Sequence, residues 1–410
     1  MTSSCRSCGR DLDTTFCDLG MSPLANSYIE PGHFEDPEVF YPLHVFVCSS
    51  CLLVQLPEHA SASDIFSDYA YFSSVSSSWL DHARRYTVEM IERFGFGPDS
   101  HVVEIASNDG YLLQYFVEQG VPVLGVEPAA NVAEVARDKG IPTEVAFFGT
   151  ETATRLRDAG HSPDLVLGNN VLAHVPDLND FVSGLQILLG PTGVITMEFP
   201  HLLQLMRFNQ FDTIYHEHFS YFSFLVVRQV FANHGLRMFD VDQVPTHGGS
   251  LRIFACHTED TTHTETPRVQ ALLDDEAAAG LDRLDGYTSF PEQVAATKRA
   301  LLTFLIDAKQ NGKSVVAYGA PAKGNTLLNA CGVRSDLIDF TVDRSPHKQG
   351  RLLPGTRLPI HAPEAIADAK PDYVLILPWN LRDEIVGEMA HIREWGGRFA
   401  VPIPTLSVLG

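Results

Sequence analysis

No run of about 18 uninterrupted apolar residues occurs in the 410-residue chain, so no transmembrane helix is expected. The opening residues, MTSSCRSCGRDLD, lack the apolar stretch of a secretory signal, and a cytoplasmic location is expected. Positive charge is scarce: 29 Lys and Arg stand against 51 Asp and Glu, for a formal net charge of −22. With no Lys/Arg cluster to offset that excess, nucleic acid and anionic membranes are not expected partners. A small anionic ligand stays compatible, because a pocket needs only a few local donors. The cysteines number seven, and an odd count without a signal segment argues against a disulfide framework.

What is present begins with those cysteines. Four of them form two C-x-x-C pairs, Cys5 and Cys8 in CRSC, Cys48 and Cys51 in CSSC. Each pair offers two sulfurs from one tight turn, and two turns close a tetrahedron, which is the pattern of a closed structural zinc site. The 39 residues between the pairs exceed the usual ribbon spacing, so a separate element must fold there. EVFYPLHVFV reads as a strand leading into the second turn, and Cys17 reads as packing.

From Ser78 the pattern changes. SWLDHARRYTVEMIERFGF carries helical periodicity, and the runs HVVEIAS, PVLGVEP, DLVLGNN and GVITMEFP alternate with helical stretches. That is the βαβ grammar of a parallel sheet covered on both faces, closed by two further strands in MFDVDQVP and SLRIFACHT. After a helical, charged stretch a second βαβ set follows in SVVAYGA, LIDFTVD, DYVLILPWN and RFAVPIP. The expected division is a zinc module over residues 1–77, an α/β domain over 78–262 and a second α/β domain over 263–410.

In VVEIASNDGYLL a buried strand ends and a helix begins, the edge at which open α/β sheets bind ligands. The following strand ends in Glu127, an acid placed to accept from two ribose hydroxyls. The G-x-G-x-x-G of dinucleotide sites is missing, and only Gly110 stands in the turn. A pyrophosphate needs close backbone approach, so an adenosyl ligand without phosphate is favoured over NAD. Ser107 and Asn108 are the polar groups that replace the glycines.

EIASNDGYLL, GVEPAANVA, GNNVLAHVPD, YHEHFSYFS and GAPAKGNTLLN, together with the cysteine pairs, resemble the C-methyltransferases of deoxysugar biosynthesis, in that family's order and over nearly the whole chain. The resemblance implies a Rossmann-like S-adenosylmethionine (SAM) domain and a second Rossmann-like domain, beside the structural zinc read from the cysteine pairs; a monomer is expected. It implies a dTDP-linked 4-keto-deoxysugar as substrate, methylated at C-3′, with a 3-amino-2,3,6-trideoxy sugar as the nearest case. It assigns Glu104, Ala106, Asn108, Gly110, Glu127, Phe148, Asn169 and Asn170 to SAM. It assigns Tyr215, Glu217 and His218 to catalysis, and places Tyr69 and Tyr71 on the sugar side; His174, which follows the fourth strand of the chain, is expected at the same sheet edge, against the sugar or the methyl-transfer region.

The segment DTIYHEHFSYFS suits such chemistry. Methylating carbon beside a ketone needs a base, a donor for the developing oxyanion, and positioning. Histidine is the best base near neutrality. On a helix Tyr215 and His218 would share a face; on a strand Tyr215 and Glu217 would point one way and the two histidines the other. His218 is read as the base, Tyr215 as the group on the C-4′ oxygen, and Glu217 as partner of His218 or contact to a sugar amine. Exchanging the roles of Tyr215 and His218 is the open alternative, and His216 reads as structural. H-E-x-x-H is absent, which disfavours a second metal.

SVVAYGAPAKGNTLLN is neither a P-loop nor a dinucleotide fingerprint, since Lys323 precedes Gly324 and Pro321 fills the middle glycine position. A helix start with one lysine is still a diphosphate cradle in outline, and Lys348 and Arg351 add charge downstream.

Overall fold

The computed structural model describes residues 3–60 and 73–410, and two compact units are built from interleaved segments of the chain. The first takes the segment up to Leu12, Cys48–His201 and Phe219–Arg283; the second takes Asp13–Val47, Leu202–His218 and Leu284–Gly410.

The first unit is organised on a seven-stranded sheet. Its spatial order is Leu236–Val244, Ser250–His257, Val194–Pro200, Leu165–Asn169, Val102–Ile105, Val123–Val126, Thr143–Glu144. The last five strands are parallel, and the first two close the sheet antiparallel, as the alternation in the sequence predicts. VVEI and LVLG are buried along their whole length, because helices cover both faces of a parallel sheet. The helix Ser77–Phe94 starts where Ser76 Oγ accepts the N–H of Trp79 and stops at Gly95, whose φ of 72° continues no helix. Its residues Ala83, Tyr86 and Met90 fall on one face and join a core with Phe116 and Phe254. Strand order reverses between Val102–Ile105 and Leu165–Asn169, which opens a crevice at their carboxyl ends.

The second unit holds the antiparallel hairpin Thr14–Ser22 with Tyr41–Val47, the element expected between the cysteine pairs. Phe16 of that hairpin stacks on Phe290 at 4.7 Å, at the start of the long helix Phe290–Gln310. A six-stranded sheet runs Ile360–His361, Thr341–Val342, Val315–Tyr318, Tyr373–Ile376, Arg398–Val401, Ser407–Leu409, parallel except for its last strand. It repeats the Rossmann-like order of the first sheet, with its own crevice between Val315–Tyr318 and Tyr373–Ile376. Among the described residues no helix is long and apolar enough to cross a membrane.

Candidate functional site

The four cysteines expected to bind zinc converge within the first unit. Cys5 and Cys51 sulfurs are 3.5 Å apart, Cys8 and Cys48 sulfurs are 3.5 Å apart, and all four lie within 4.8 Å of one another. Zinc–sulfur bonds of about 2.3 Å in a tetrahedron place the sulfurs about 3.8 Å apart, so the set fits one zinc ion. Gln55 Nε2–H donates to Cys5 Sγ at 3.1 Å and its Oε1 accepts the Arg6 N–H, which orients the first knuckle. The Arg6 guanidinium donates to the Leu56 carbonyl, and Asn179 Nδ2–H donates to the carbonyls of Arg6 and Ser7. The knuckle is thereby tied to the helix Leu178–Leu188, which follows the strand Leu165–Asn169.

The residues assigned to SAM gather at the carboxyl edge of the first sheet. Ala106, Asn108 and Gly110 all adopt left-handed backbone, with φ of 55°, 50° and 74°. Only the third is glycine: the turn keeps its tight path although two residues carry a Cβ. At Gly110 a Cβ would sit 2.3 Å from the Ile141 Cδ1 tip on a left-handed backbone, so a side chain there adds backbone strain and forces Ile141 to move. Glu127 accepts the N–H of Asn108 and of Ala129, each at 2.9 Å, and burial raises its pKa against those two bonds. Its carboxylate retains lone pairs for ribose hydroxyls. Burial, then the nearby Glu127, holds Glu104 well above the usual carboxylate range.

Both Glu104 oxygens, Ser107 Oγ, Asn169 Nδ2 and Asn170 Oδ1 are buried without a hydrogen-bond partner among the described residues. Orphaned buried donors and acceptors of both kinds at one sheet edge fit a zwitterionic adenosyl ligand. Phe148 lies edge-on to Phe181 at 5.4 Å, and His174 ends the short turn Leu172–His174, half-buried. Tyr69 and Tyr71 lie outside the described residues.

The Tyr-His-Glu-His segment belongs to the second unit, where it is neither helix nor strand. A 3₁₀ turn, Phe211–Thr213, leads into a turn closed by the His218 N–H on the Tyr215 carbonyl at 2.9 Å. That closure brings the Tyr215 and His218 rings to 4.0 Å. His218 Nδ1 lies 2.8 Å from the Thr213 carbonyl. A carbonyl only accepts, so Nδ1 carries the hydrogen, and in the neutral ring Nε2 is the basic nitrogen. Glu217 is buried and accepts Asn26 Nδ2–H at 2.7 Å; burial raises its pKa, which Asn26 opposes. His216 donates from Nε2 to the Pro42 carbonyl and packs edge-on to Tyr41, a packing role.

Of the cations expected at the diphosphate, Lys323 donates to Asn380 Oδ1 at 2.9 Å and stands over the Trp379 ring. Lys348 donates to the Ala320 carbonyl at 2.9 Å beside the Tyr28 ring, and Tyr28 O–H donates to the same carbonyl at 2.6 Å. Arg351 pairs with Glu30 at 2.8 Å. Asn26 and Tyr28 carried no signal in the sequence, being short polar and aromatic residues of an irregular segment. Asp212 stood inside the quoted stretch, and only the fold shows that Trp379 Nε1–H donates to it at 2.7 Å.

Burial pushes the Asp212 carboxyl from 3.8 up to about 6, against Lys323 and Trp379. With its folded pKa above its unfolded one, Asp212 binds its proton more tightly in the folded chain. Its penalty on stability therefore grows as pH rises from about 4 to 6 and is complete above that, on the order of 3 kcal/mol at most. Asp212→Asn, which cannot ionise, should gain stability relative to the parent over that window, read by thermal melts at pH 4.5 and 7. A difference that is flat with pH contradicts the shift.

Three family models match the chain: a zinc binding domain over residues 5–66, a methyltransferase domain over 79–241 and a C-methyltransferase C-terminal domain over 245–404. The C-methyltransferase NovU of Streptomyces niveus is 38% identical over 408 residues, 99% of this chain and 96% of that protein. A ubiquinone biosynthesis O-methyltransferase of Bartonella bacilliformis is 28% identical over 95 residues, 23% of this chain and 38% of that protein. Among solved structures, the Burkholderia thailandensis 1,6-didemethyltoxoflavin-N1-methyltransferase matches 50% of this chain and 95% of that one, at 18% identity and a TM-score of 0.37.

Proposed function

The chain belongs to the C-methyltransferase family with a zinc-binding domain, and from that premise we propose that it methylates C-3′ of a dTDP-linked 4-keto-deoxysugar, with SAM as donor. A 3-amino-2,3,6-trideoxy-4-keto-D-glucose unit is the sugar that the motifs favour. The observation that carries this reading is the fixed tautomer of His218, with Tyr215 and Glu217 on the same turn.

The C-3′ hydrogen lies beside the C-4′ ketone, so its removal gives an enolate. His218 Nε2 takes that proton while the Thr213 carbonyl holds Nδ1–H and steadies the imidazolium. Tyr215 O–H donates to the oxygen on which negative charge develops. Glu217, held by Asn26, meets a 3-amino group. SAM, when bound, supplies a methyl made electrophilic by its sulfonium; Glu104, Asn108, Glu127, Asn169 and Asn170 would hold it. Lys323, Lys348 and Arg351 supply positive charge for the diphosphate.

Proton removal separates this reading from methylation of oxygen or nitrogen, which needs no acidic C–H. With S-adenosylhomocysteine and a dTDP-4-keto-sugar in D₂O, deuterium should enter C-3′, and should fail to enter with His218→Asn. No exchange with the parent enzyme would move the reading to O- or N-methylation. For the diphosphate, Lys348→Ala and Arg351→Ala should each raise the sugar-nucleotide KM roughly tenfold, the loss of one charge-assisted contact. An unchanged KM in both removes these two residues from the diphosphate site.

A further inference from the structure

In an open α/β sheet the crevice at the strand reversal is where a ligand is expected. In the second unit the chain's own catalytic loop reaches that place. The strand Val315–Tyr318 runs into Gly319, Ala320 and Pro321, and Tyr373–Ile376 runs into Leu377, Pro378 and Trp379. From the second edge Trp379 Nε1–H donates to Asp212 Oδ2 at 2.7 Å. From the helix after the first edge, Ala322–Cys331, Thr326 O–H donates to the Ile214 carbonyl at 3.0 Å. The crevice thus grips the loop on both sides of Thr213, the residue whose carbonyl takes His218 Nδ1–H. Asp212 is fully buried, and its Oδ1 has no hydrogen-bond partner among the described residues.

We propose that Asp212 and Trp379 are positioning residues that fix the Thr213 carbonyl, and through it the ring and tautomer of His218, from the strand-reversal crevice of the C-terminal sheet. This rests on the reading of His218 as the base. A role for the C-terminal domain follows that needs no nucleotide: its sheet edge is a socket for the catalytic loop. Without the indole–carboxylate bond the turn Phe211–Thr213 keeps its own backbone bonds and the Thr326 tie but loses its anchor to the second sheet edge, so the Thr213 carbonyl is held less tightly. The imidazole then divides between tautomers, and a displacement near 1 Å costs about 100-fold in rate.

Trp379→Phe keeps an aromatic ring under Lys323 and removes the N–H donor, with some loss of ring volume. It should lower kcat by about 10- to 100-fold, with the SAM Kd and the sugar-nucleotide KM changed less than about threefold. Asp212→Ala should do the same. Asp212→Asn, which keeps an acceptor oxygen, should restore most of the rate. Nitrogen-15 spectra of histidine-labelled protein should show His218 with hydrogen on Nδ1 in the parent and mixed tautomers in Trp379→Phe. If folded Trp379→Phe keeps the parent kcat and the parent His218 spectrum, the proposal is overturned. A raised KM with unchanged kcat overturns it too, and assigns Trp379 to substrate binding. An active His218→Asn would instead defeat the base assignment, so the two failures are distinguishable.

Discussion

His218→Asn should lower kcat by about 10²- to 10⁴-fold, the range of a lost general base, while the SAM Kd measured by calorimetry stays near the parent value. Asparagine keeps one polar atom near the Nδ1 position and loses Nε2, so the contact to the Thr213 carbonyl at 2.8 Å has a partial substitute and the proton acceptor has none. The expected split follows from the fold. His218 belongs to the second unit, whereas Glu104, Asn108 and Glu127 stand at the sheet edge of the first. Tyr215→Phe separates the two roles on this turn. It removes the oxyanion donor and should slow deuterium entry and methyl transfer together, without abolishing the exchange as His218→Asn does. If Tyr215→Phe abolished exchange and His218→Asn did not, the two residues would trade roles.

Cys48→Ser should strip the metal and much of the stability with it. The parent should carry one zinc per chain by plasma mass spectrometry, and the variant far less. Structural zinc sites contribute free energies of about 10–16 kcal/mol to the peptides they fold. Losing one of four thiolates leaves a fraction of that, enough for a fall in Tm on the order of 10 °C. The damage should not stay local. Arg6, next to Cys5, donates to Leu56, and Asn179 holds the carbonyls of Arg6 and Ser7. Those bonds anchor the segment after Asn169 and Asn170, so SAM affinity should fall as well. A variant with full zinc content, or one stripped of zinc with unchanged Tm, would contradict a structural site.

Much of this was legible in the sequence. C-x-x-C pairs encode their ligands locally, because each turn presents both sulfurs whatever surrounds it. The parallel strands were legible because burial on both faces leaves runs such as VVEI and LVLG without polar interruption. The crowding of Tyr215, Glu217 and His218 was visible, but its geometry was not. Helix and strand periodicities disagree on it, and the segment obeys neither, closing as a turn. Partners far away in sequence were out of reach. Asn26 meets Glu217 across 191 positions and Trp379 meets Asp212 across 167, and no local pattern records such pairing. The turn at Ala106 and Asn108 was partly legible: its scarcity of glycines stands in the sequence itself. That Ala106 itself takes the left-handed backbone is visible only in the fold.

The central claim is that a proton leaves carbon and a methyl arrives on the same carbon. SAM labelled with carbon-13 in its methyl group, incubated with the enzyme and a dTDP-3-amino-4-keto-sugar, tests it directly by NMR. The account predicts an enriched methyl signal coupled to C-3′ and no remaining hydrogen on that carbon. Enrichment on oxygen or nitrogen, or none on any 4-keto-sugar offered, would contradict it.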